Sequence, residues 1–258
     1  TGNTIIADNI ALPLSFVNIA SNNTNPAYAA TNDVVTLSFT SQEEIKNLVV
    51  KIAGKVVTQI NDLGGNAFEA ILTLDGTEPE GPLPFEINYD DFVGNTADPV
   101  TGTTDGSSVT YDKTDPMVSS VSVSSDNTYI ADDPAFYAKS GHTMTVSFVS
   151  LEKLRVPQGV IHGQNVTFTN PSGDQKTWEG TITFGNTDTE GIATFNVPLY
   201  DLAGNNNLTL IATTDGTSVL FDRTAPTLPS VTDLGGAQTN VFKYHGQADF
   251  RFNGQQDL

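Results

Sequence analysis

Acidic side chains in a repeated setting are the residues of this sequence best placed to do chemistry. Asp91 opens the stretch Asp91-Phe92-Val93-Gly94-Asn95, and Asp201 opens Asp201-Leu202-Ala203-Gly204-Asn205. Glu43 and Glu152 each follow an apolar–Ser–Phe run, and Asp8, Asp112 and Asp222 each close a short alternating run. Carboxylates, amide oxygens and carbonyls are hard donors, and calcium takes six to eight of them at about 2.3–2.6 Å. The candidate metal ligands are therefore Asp8, Glu43, Asp91, Asn95, Asp112, Glu152, Asp201, Asn205 and Asp222, with calcium as the candidate ion. A second reading needs no metal: Asp91 and Asp201 form Asx turns, and Asp112 and Asp222 solvate a linker.

Other chemistries find little support. The chain has no cysteine, which removes disulfides, thiolate metal sites and cysteine nucleophiles. His142, His162 and His245 are scattered and lack metal-ligand spacing. There is no Gly-x-Ser-x-Gly elbow, phosphate-cradling glycine loop or His-Glu-x-x-His motif. The carboxylate pairs Asp90-Asp91 and Asp132-Asp133 sit in turn-like contexts without the flanking aromatics of a sugar subsite. The sequence thus reads as a non-enzyme, with no catalytic residues and no organic cofactor. Asn22, Asn165 and Asn207 head Asn-x-Ser/Thr sequons, a pattern frequent by chance in a chain rich in Asn and Thr.

Charge narrows the partners. Eleven Lys and Arg face thirty Asp and Glu, a net charge of −19. A phosphate backbone or an anionic membrane surface is repelled by such a chain, whereas divalent cations are attracted. Solubility or a salty habitat accounts for the same charge without any ion. No apolar run is long enough to span a membrane. Thr1 is an unusual natural start, so the sequence reads as an excised fragment and missing targeting signals carry no weight.

The elements that position these residues are repeated. Asp91–Pro116 reads DFVGNTADPVTGTTDGSSVTYDKTDP, and Asp201–Pro226 reads DLAGNNNLTLIATTDGTSVLFDRTAP. The two align without a gap at an offset of 110. Upstream, Phe68-Glu69 faces Trp178-Glu179, Glu80-Gly81 faces Glu190-Gly191, and Leu37-Ser38-Phe39 faces Val146-Ser147-Phe148. Thr4–Asp8 resembles Ser108–Asp112, so the chain opens on the last strand of a preceding unit. The organisation predicted is a closing strand over residues 1–12, one repeat over 13–115, a second over 116–225, and the start of a third, divergent or truncated, domain over 226–258.

Each repeat reads as all-β. Val35, Leu37 and Phe39 alternate with Thr36 and Ser38; Met144, Val146 and Phe148 alternate with Thr145 and Ser147. Ile182 and Phe184, Phe195 and Val197, Leu208 and Leu210, and Val219 and Phe221 continue the period of two that marks half-buried strands. Turn signals at Asp62–Asn66, Asp75-Gly76, Asp105-Gly106 and Ser172–Asp174 separate the runs. About seven short strands in roughly 110 residues suit an immunoglobulin-like β-sandwich, here in tandem. One helical turn is expected at most, over Ser41–Asn47. Trp178 is read as core packing, or in a binding role as an exposed stacking platform for carbohydrate.

Five features in order carry a family resemblance: Tyr137–Gly141, the Thr145–Phe148 strand, the Trp178–Ile182 strand, the Asp201–Asn205 loop and the closing run Thr214–Pro226. Together they resemble the bacterial Ig-like repeats of giant surface adhesins and surface filaments, over roughly residues 1–226. The first unit departs from the pattern at Phe92-Val93 and at Asp115, where the second has Leu202-Ala203 and Ala225. The resemblance implies secretion to the cell surface, many copies in series and, often, calcium at the junctions.

Placed on an immunoglobulin-like sandwich, the chain enters beside the B–C and F–G loops. Asp112 would then meet Glu152, Asp201 and Asn205 at one junction, Asp8 would meet Glu43, Asp91 and Asn95 at the junction before it, and Asp222 would serve the next. The function expected is a stiff spacer in a secreted adhesin or motility filament. Its partners are neighbouring repeats, and other parts of the protein carry any contact with host or surface glycans or proteins. The alternative is a glycan- or protein-binding module, or an accessory domain of a secreted hydrolase.

Overall fold

The computed structural model describes residues 7–127 and 135–227. The closing-strand residues Thr4–Ile6, the Asp132-Asp133 pair, the unit expected from Val231 onward, His245 and the tail Phe242–Leu258 lie outside the described residues. The strands described all fall in the compact unit that ends at Arg223.

The first repeat holds β1 (Leu14–Ser21), β2 (Tyr28–Ala29), β3 (Val34–Ser41), β4 (Ile45–Ile52), β5 (Lys55–Val56), β6 (Gln59–Gly64), β7 (Ala67–Thr73), β8 (Gly81–Pro82), β9 (Phe85–Asp91) and β10 (Thr110–Tyr111). The second holds β11 (Val118–Ser125), β12 (Ala135–Ala138), β13 (Thr143–Ser150), β14 (Gln158–Ile161), β15 (Gln164–Thr167), β16 (Thr177–Thr183), β17 (Gly191–Ile192), β18 (Phe195–Leu199), β19 (Leu208–Leu210) and β20 (Ser218–Phe221). The strands outnumber the seven expected per repeat because one sheet of the first repeat is made of pieces only two residues long, β2, β10 and β8.

Both repeats are built alike. The order β1-β3-β7-β6 in the first corresponds to β11-β13-β16 in the second, β5-β4-β9 to β15-β14-β18-β19, and β2-β10-β8 to β12-β20-β17. In each, the closing strand pairs parallel with a short early strand: β10 with β2, and β20 with β12. This is the immunoglobulin-like sandwich, twice in series. Period-two alternation decides which face is buried: β3 and β13 both bury every second residue, Val35, Leu37 and Phe39 in one, Met144, Val146 and Phe148 in the other. Two separate apolar cores result. One runs from Leu14 to Tyr111 and the other from Val121 to Phe221.

No helix forms over Ser41–Asn47. A single helical turn carries the full nucleation cost for few hydrogen bonds, whereas β3 and β4 pair on both sides of this segment. The Ser41 hydroxyl instead donates to the Glu43 carbonyl and closes a bend, as Ser150 does to Glu152. Among the described residues no helix is long and apolar enough to cross a membrane.

The closing run Thr-Thr-Asp-Gly-Ser/Thr-Ser has a definite physical role. Thr104 Oγ1 accepts the Val17 N–H at 3.0 Å, and Ser107 Oγ accepts that of Ile19 at 3.0 Å. Thr214 and Thr217 do the same for Val121 and Val123, at 2.9 and 3.0 Å. Hydroxyls thereby satisfy the outer edge of β1 and β11, an edge that would otherwise invite pairing with another chain. Asp105 and Asp215 hold the turn by accepting the N–H of Ser107 and Thr217, and Gly106 and Gly216 supply its positive φ of 77°. Thr104→Val strands the N–H of fully buried Val17 and is expected to cost about 1–3 kcal/mol in urea unfolding. The far-ultraviolet β-sheet signal should be unchanged; a stability equal to wild type would refute this role of the hydroxyl.

Candidate metal centre

Asp201 follows β18 by two residues and turns sharply into its loop. Its Oδ1 accepts the N–H of Gly204 at 2.5 Å and of Asn205 at 2.9 Å, and its Oδ2 accepts Asn205 Nδ2 at 2.7 Å. Gly204 sits at φ +99°, which a side chain rarely tolerates. Asp91 at the end of β9 repeats the arrangement with Gly94 at 2.6 Å, Asn95 N at 2.8 Å and Asn95 Nδ2 at 2.6 Å. Both aspartates are 1% exposed. The Asx-turn reading of this loop therefore describes its hydrogen bonds, and the loop holds a buried carboxylate rigidly at one end of each sandwich.

Other acids converge on these two. Carboxylate oxygens of Asp112, Glu152 and Asp201 lie within 4.8 Å of one another, and so do those of Asp8, Glu43 and Asp91. Asn205 bridges the repeats: its Nδ2 also donates to the Asp112 carbonyl at 3.1 Å. In both loops the side-chain nitrogen of Asn95 or Asn205 faces the carboxylate, so these asparagines orient the aspartates. Asp222 occupies the position equivalent to Asp112; its N–H donates to Ala138 O as that of Asp112 donates to Ala29 O, each at 2.9 Å. The segment expected to complete its junction lies outside the described residues.

Like charges are crowded at the Asp112 junction. Burial, together with the charges of Asp112 and Asp201, pushes the Glu152 carboxyl up to about 7, with Lys176 opposing. Burial also raises Asp112, against the stabilising Thr114 N–H and with the charges of Asp201 and Glu80 adding to the rise. At the earlier junction Glu43 Oε1 accepts the Leu12 N–H at 2.6 Å, and Tyr89, whose hydroxyl donates to Leu12 O, is raised by burial and by the Glu43 charge.

The donors fit a hard divalent cation. Both clusters consist of carboxylates alone; Asp91 and Asp201 each spend three of about four lone-pair sites on their own loop and keep one on Oδ2. Three carboxylates supply at least three of the ligands that calcium takes, one from each residue, leaving the rest to further oxygens, carbonyls and water. A bound ion would bring positive charge to a group of carboxylates that otherwise repel one another.

Two residues on the same interface carry no motif that singles them out. Arg155 Nη2 donates to Asn23 Oδ1 at 2.8 Å and to Leu202 O at 3.2 Å, and Asn23 Nδ2 donates to Ala203 O at 2.5 Å. The only trace in the sequence is shared spacing, Glu43-x-x-Lys46 and Glu152-x-x-Arg155. Trp178 is 2% exposed and its Nε1 donates to Gln175 O. It packs in the core, which overturns the exposed stacking platform.

No protein-family model matches the chain, and no curated protein matches it in sequence. Among solved structures it is similar to the fibronectin(III)-like modules of Clostridium thermocellum CbhA, with TM-score 0.38 and 11% identity over 80% of this chain and 93% of that one. It is also similar to a 1.5-MDa bacterial ice-binding adhesin, with TM-score 0.42 and 18% identity over 81% of this chain and 64% of that one. A third similarity is to the Bacteroides ovatus mixed-linkage glucan protein SGBP-B, with TM-score 0.24 and 14% identity, where the chain spans 46% of the other. Each is a partial likeness of fold.

The two acids nearest Asp112 have opposite roles in the absence of a cation. In chelator, above the raised value of about 7 for Glu152, Glu152→Gln is expected to raise the melting temperature by removing a crowded charge. Asp201→Asn is expected to lower it, because it sets an amide donor against the donors of its own loop at a cost of about 1–3 kcal/mol. Equal effects of the two substitutions would contradict this assignment.

Proposed function

We propose that the chain is a stiff spacer segment of a long secreted bacterial surface protein, an adhesin or motility filament, in which calcium at the repeat junctions restrains bending. One observation carries this reading: the Asp112 cluster is assembled from both repeats. Asp112 directly follows the closing strand of the first, whereas Glu152 and Asp201 belong to the second. An ion held there binds only when the two sandwiches keep one relative orientation, so binding energy becomes orientational stiffness.

The linker favours this use. Between Asp112 and β11 the chain is short, and it is tied down by Asn205 Nδ2 to Asp112 O, by Asn207 N to Asp115 Oδ1 at 3.3 Å and by Leu151 N to Met117 O at 2.8 Å. Pro116 fixes φ within it. Copies in series extend reach, and the partners are neighbouring repeats of the same chain. No enzymatic role is proposed, and any contact with glycans or host proteins belongs to other parts of the protein.

The test is thermal melting and small-angle scattering in calcium and then in chelator. Calcium at a hundredfold excess over its dissociation constant adds about 2.7 kcal/mol, a rise of several degrees, and the maximum dimension should become better defined. Asp112→Ala should remove the part of that response that comes from the junction between the two repeats, leaving the Asp8 cluster intact, while each sandwich keeps its β-sheet circular dichroism. Identical melting and dimensions in the two conditions would overturn the reading.

A further inference from the structure

The same loop has two different surroundings in the two repeats. Ala203 in the second repeat is 2% exposed beneath Asn23 of the first. Its counterpart Val93 is 64% exposed, and the adjoining Phe92 is 66% exposed. The cation above the loop is also repeated. Lys46 Nζ donates to Phe92 O at 2.7 Å and lies 5.8 Å from the centre of the Phe92 ring, as Arg155 donates to Leu202 O. Arg155 goes further, because its guanidinium also reaches Asn23 across the junction.

We propose that Lys46, Phe92 and Val93 form a docking surface for a further repeat of this fold lying ahead of the first. That repeat is recognised through an asparagine at the position of Asn23. The inference rests on the tandem-repeat part of the function proposed above, but not on its calcium.

Asn23 shows why an amide suits the contact. Its oxygen accepts from the cation and its nitrogen donates to the loop carbonyl beside it, so one group reads both halves of the surface. A carboxylate could not donate and a hydroxyl could not span the two. The trailing end of the second repeat carries the same feature: Asn127 N donates to Ser125 Oγ at 3.2 Å, as Asn23 N does to Ser21 Oγ at 3.2 Å. Both halves of the contact, the trailing asparagine and the leading cation and loop, thus occur in each repeat. Where they meet, Ala203 is buried; at the leading half of the first repeat, Phe92 and Val93 face solvent. None of these contacts uses a carboxylate of the acidic cluster.

Hydroxyl-radical footprinting read by mass spectrometry, performed in chelator, tests the inference. In the chain itself Phe92 should label rapidly and Leu202 slowly. Arg155→Ala and Asn23→Ala should each raise Leu202 labelling several-fold while core Leu37 stays protected. In a chain extended by a copy of residues 13–111 joined directly ahead of Asp8, Phe92 labelling should fall several-fold, and Asn23→Ala in the added copy should restore it. Unchanged Phe92 labelling, with Leu37 of the added copy protected, would overturn the proposal. If the added copy does not fold, the unextended variants decide: Leu202 labelling unaffected by Arg155→Ala overturns it. Because no calcium is present, protection of Phe92 stands even where the calcium reading fails, and a calcium response without that protection separates the two in the other direction.

Discussion

Three carboxylates drawn from two domains and held within 4.8 Å of one another set the energetics of this molecule. Two like charges about 4 Å apart repel by about 1 kcal/mol in water and about 4 kcal/mol at an effective dielectric of 20. Asp201 cannot swing away, because three hydrogen bonds from its own loop hold it. Asp112 is tethered by the Thr114 N–H. The conflict has three outlets: a proton on Glu152, a cation among the oxygens, or separation of the repeats. The first is favoured by the surroundings of the Glu152 carboxyl, raised to about 7 by burial and its acidic neighbours. The second and third are alternatives, and an ion that removes one outlet closes the other.

Everything that makes this conflict specific comes from the sandwich. Alternating strands bury Val35, Leu37 and Phe39 on one side and their counterparts in the second repeat on the other, giving each domain a core without disulfides. The hydroxyls of Thr104 and Ser107, and of Thr214 and Thr217, satisfy the edge beside the first strand of each repeat. Glu80 and Glu190 take the N–H of Lys113 and Arg223 just beyond each closing strand, at 3.0 and 2.9 Å. The residue just beyond each closing strand is thus tied back to its own repeat.

Much of this was legible in the residues. Period-two alternation marks the strands, and the Asp-x-x-Gly-Asn spacing marks a loop that turns on a glycine of positive φ. The gathering of Asp112, Glu152 and Asp201 follows from placing each motif on the sandwich, since the closing strand must end beside the loops of the next domain. Local composition misleads at Ser41–Asn47, where glutamates suggest a helical turn but pairing on both flanks prevails. The lone tryptophan is open to two roles in sequence, and only burial decides between them. The pairing of Asn23 with Arg155 was not legible, although Arg155 shares its spacing from Glu152 with that of Lys46 from Glu43. Asn23 and Arg155 are 132 residues apart, each is a common residue type in a polar loop, and their pairing exists only once both domains are folded and docked. The edge-capping hydroxyls were recognisable as a repeated string, but their purpose depends on a strand nearly ninety residues away.

The most direct test of the account is the width of an inter-repeat distance. Because the chain has no cysteine, single cysteines placed at exposed Gln59 and Thr187 can be spin-labelled without background and measured by double electron–electron resonance. The account predicts a narrow distance distribution with calcium that broadens in chelator, and no difference between the two conditions in Asp112→Ala. A distribution equally narrow, or equally broad, in calcium and chelator for the wild-type junction would contradict the claim that a cation resolves the crowded charge.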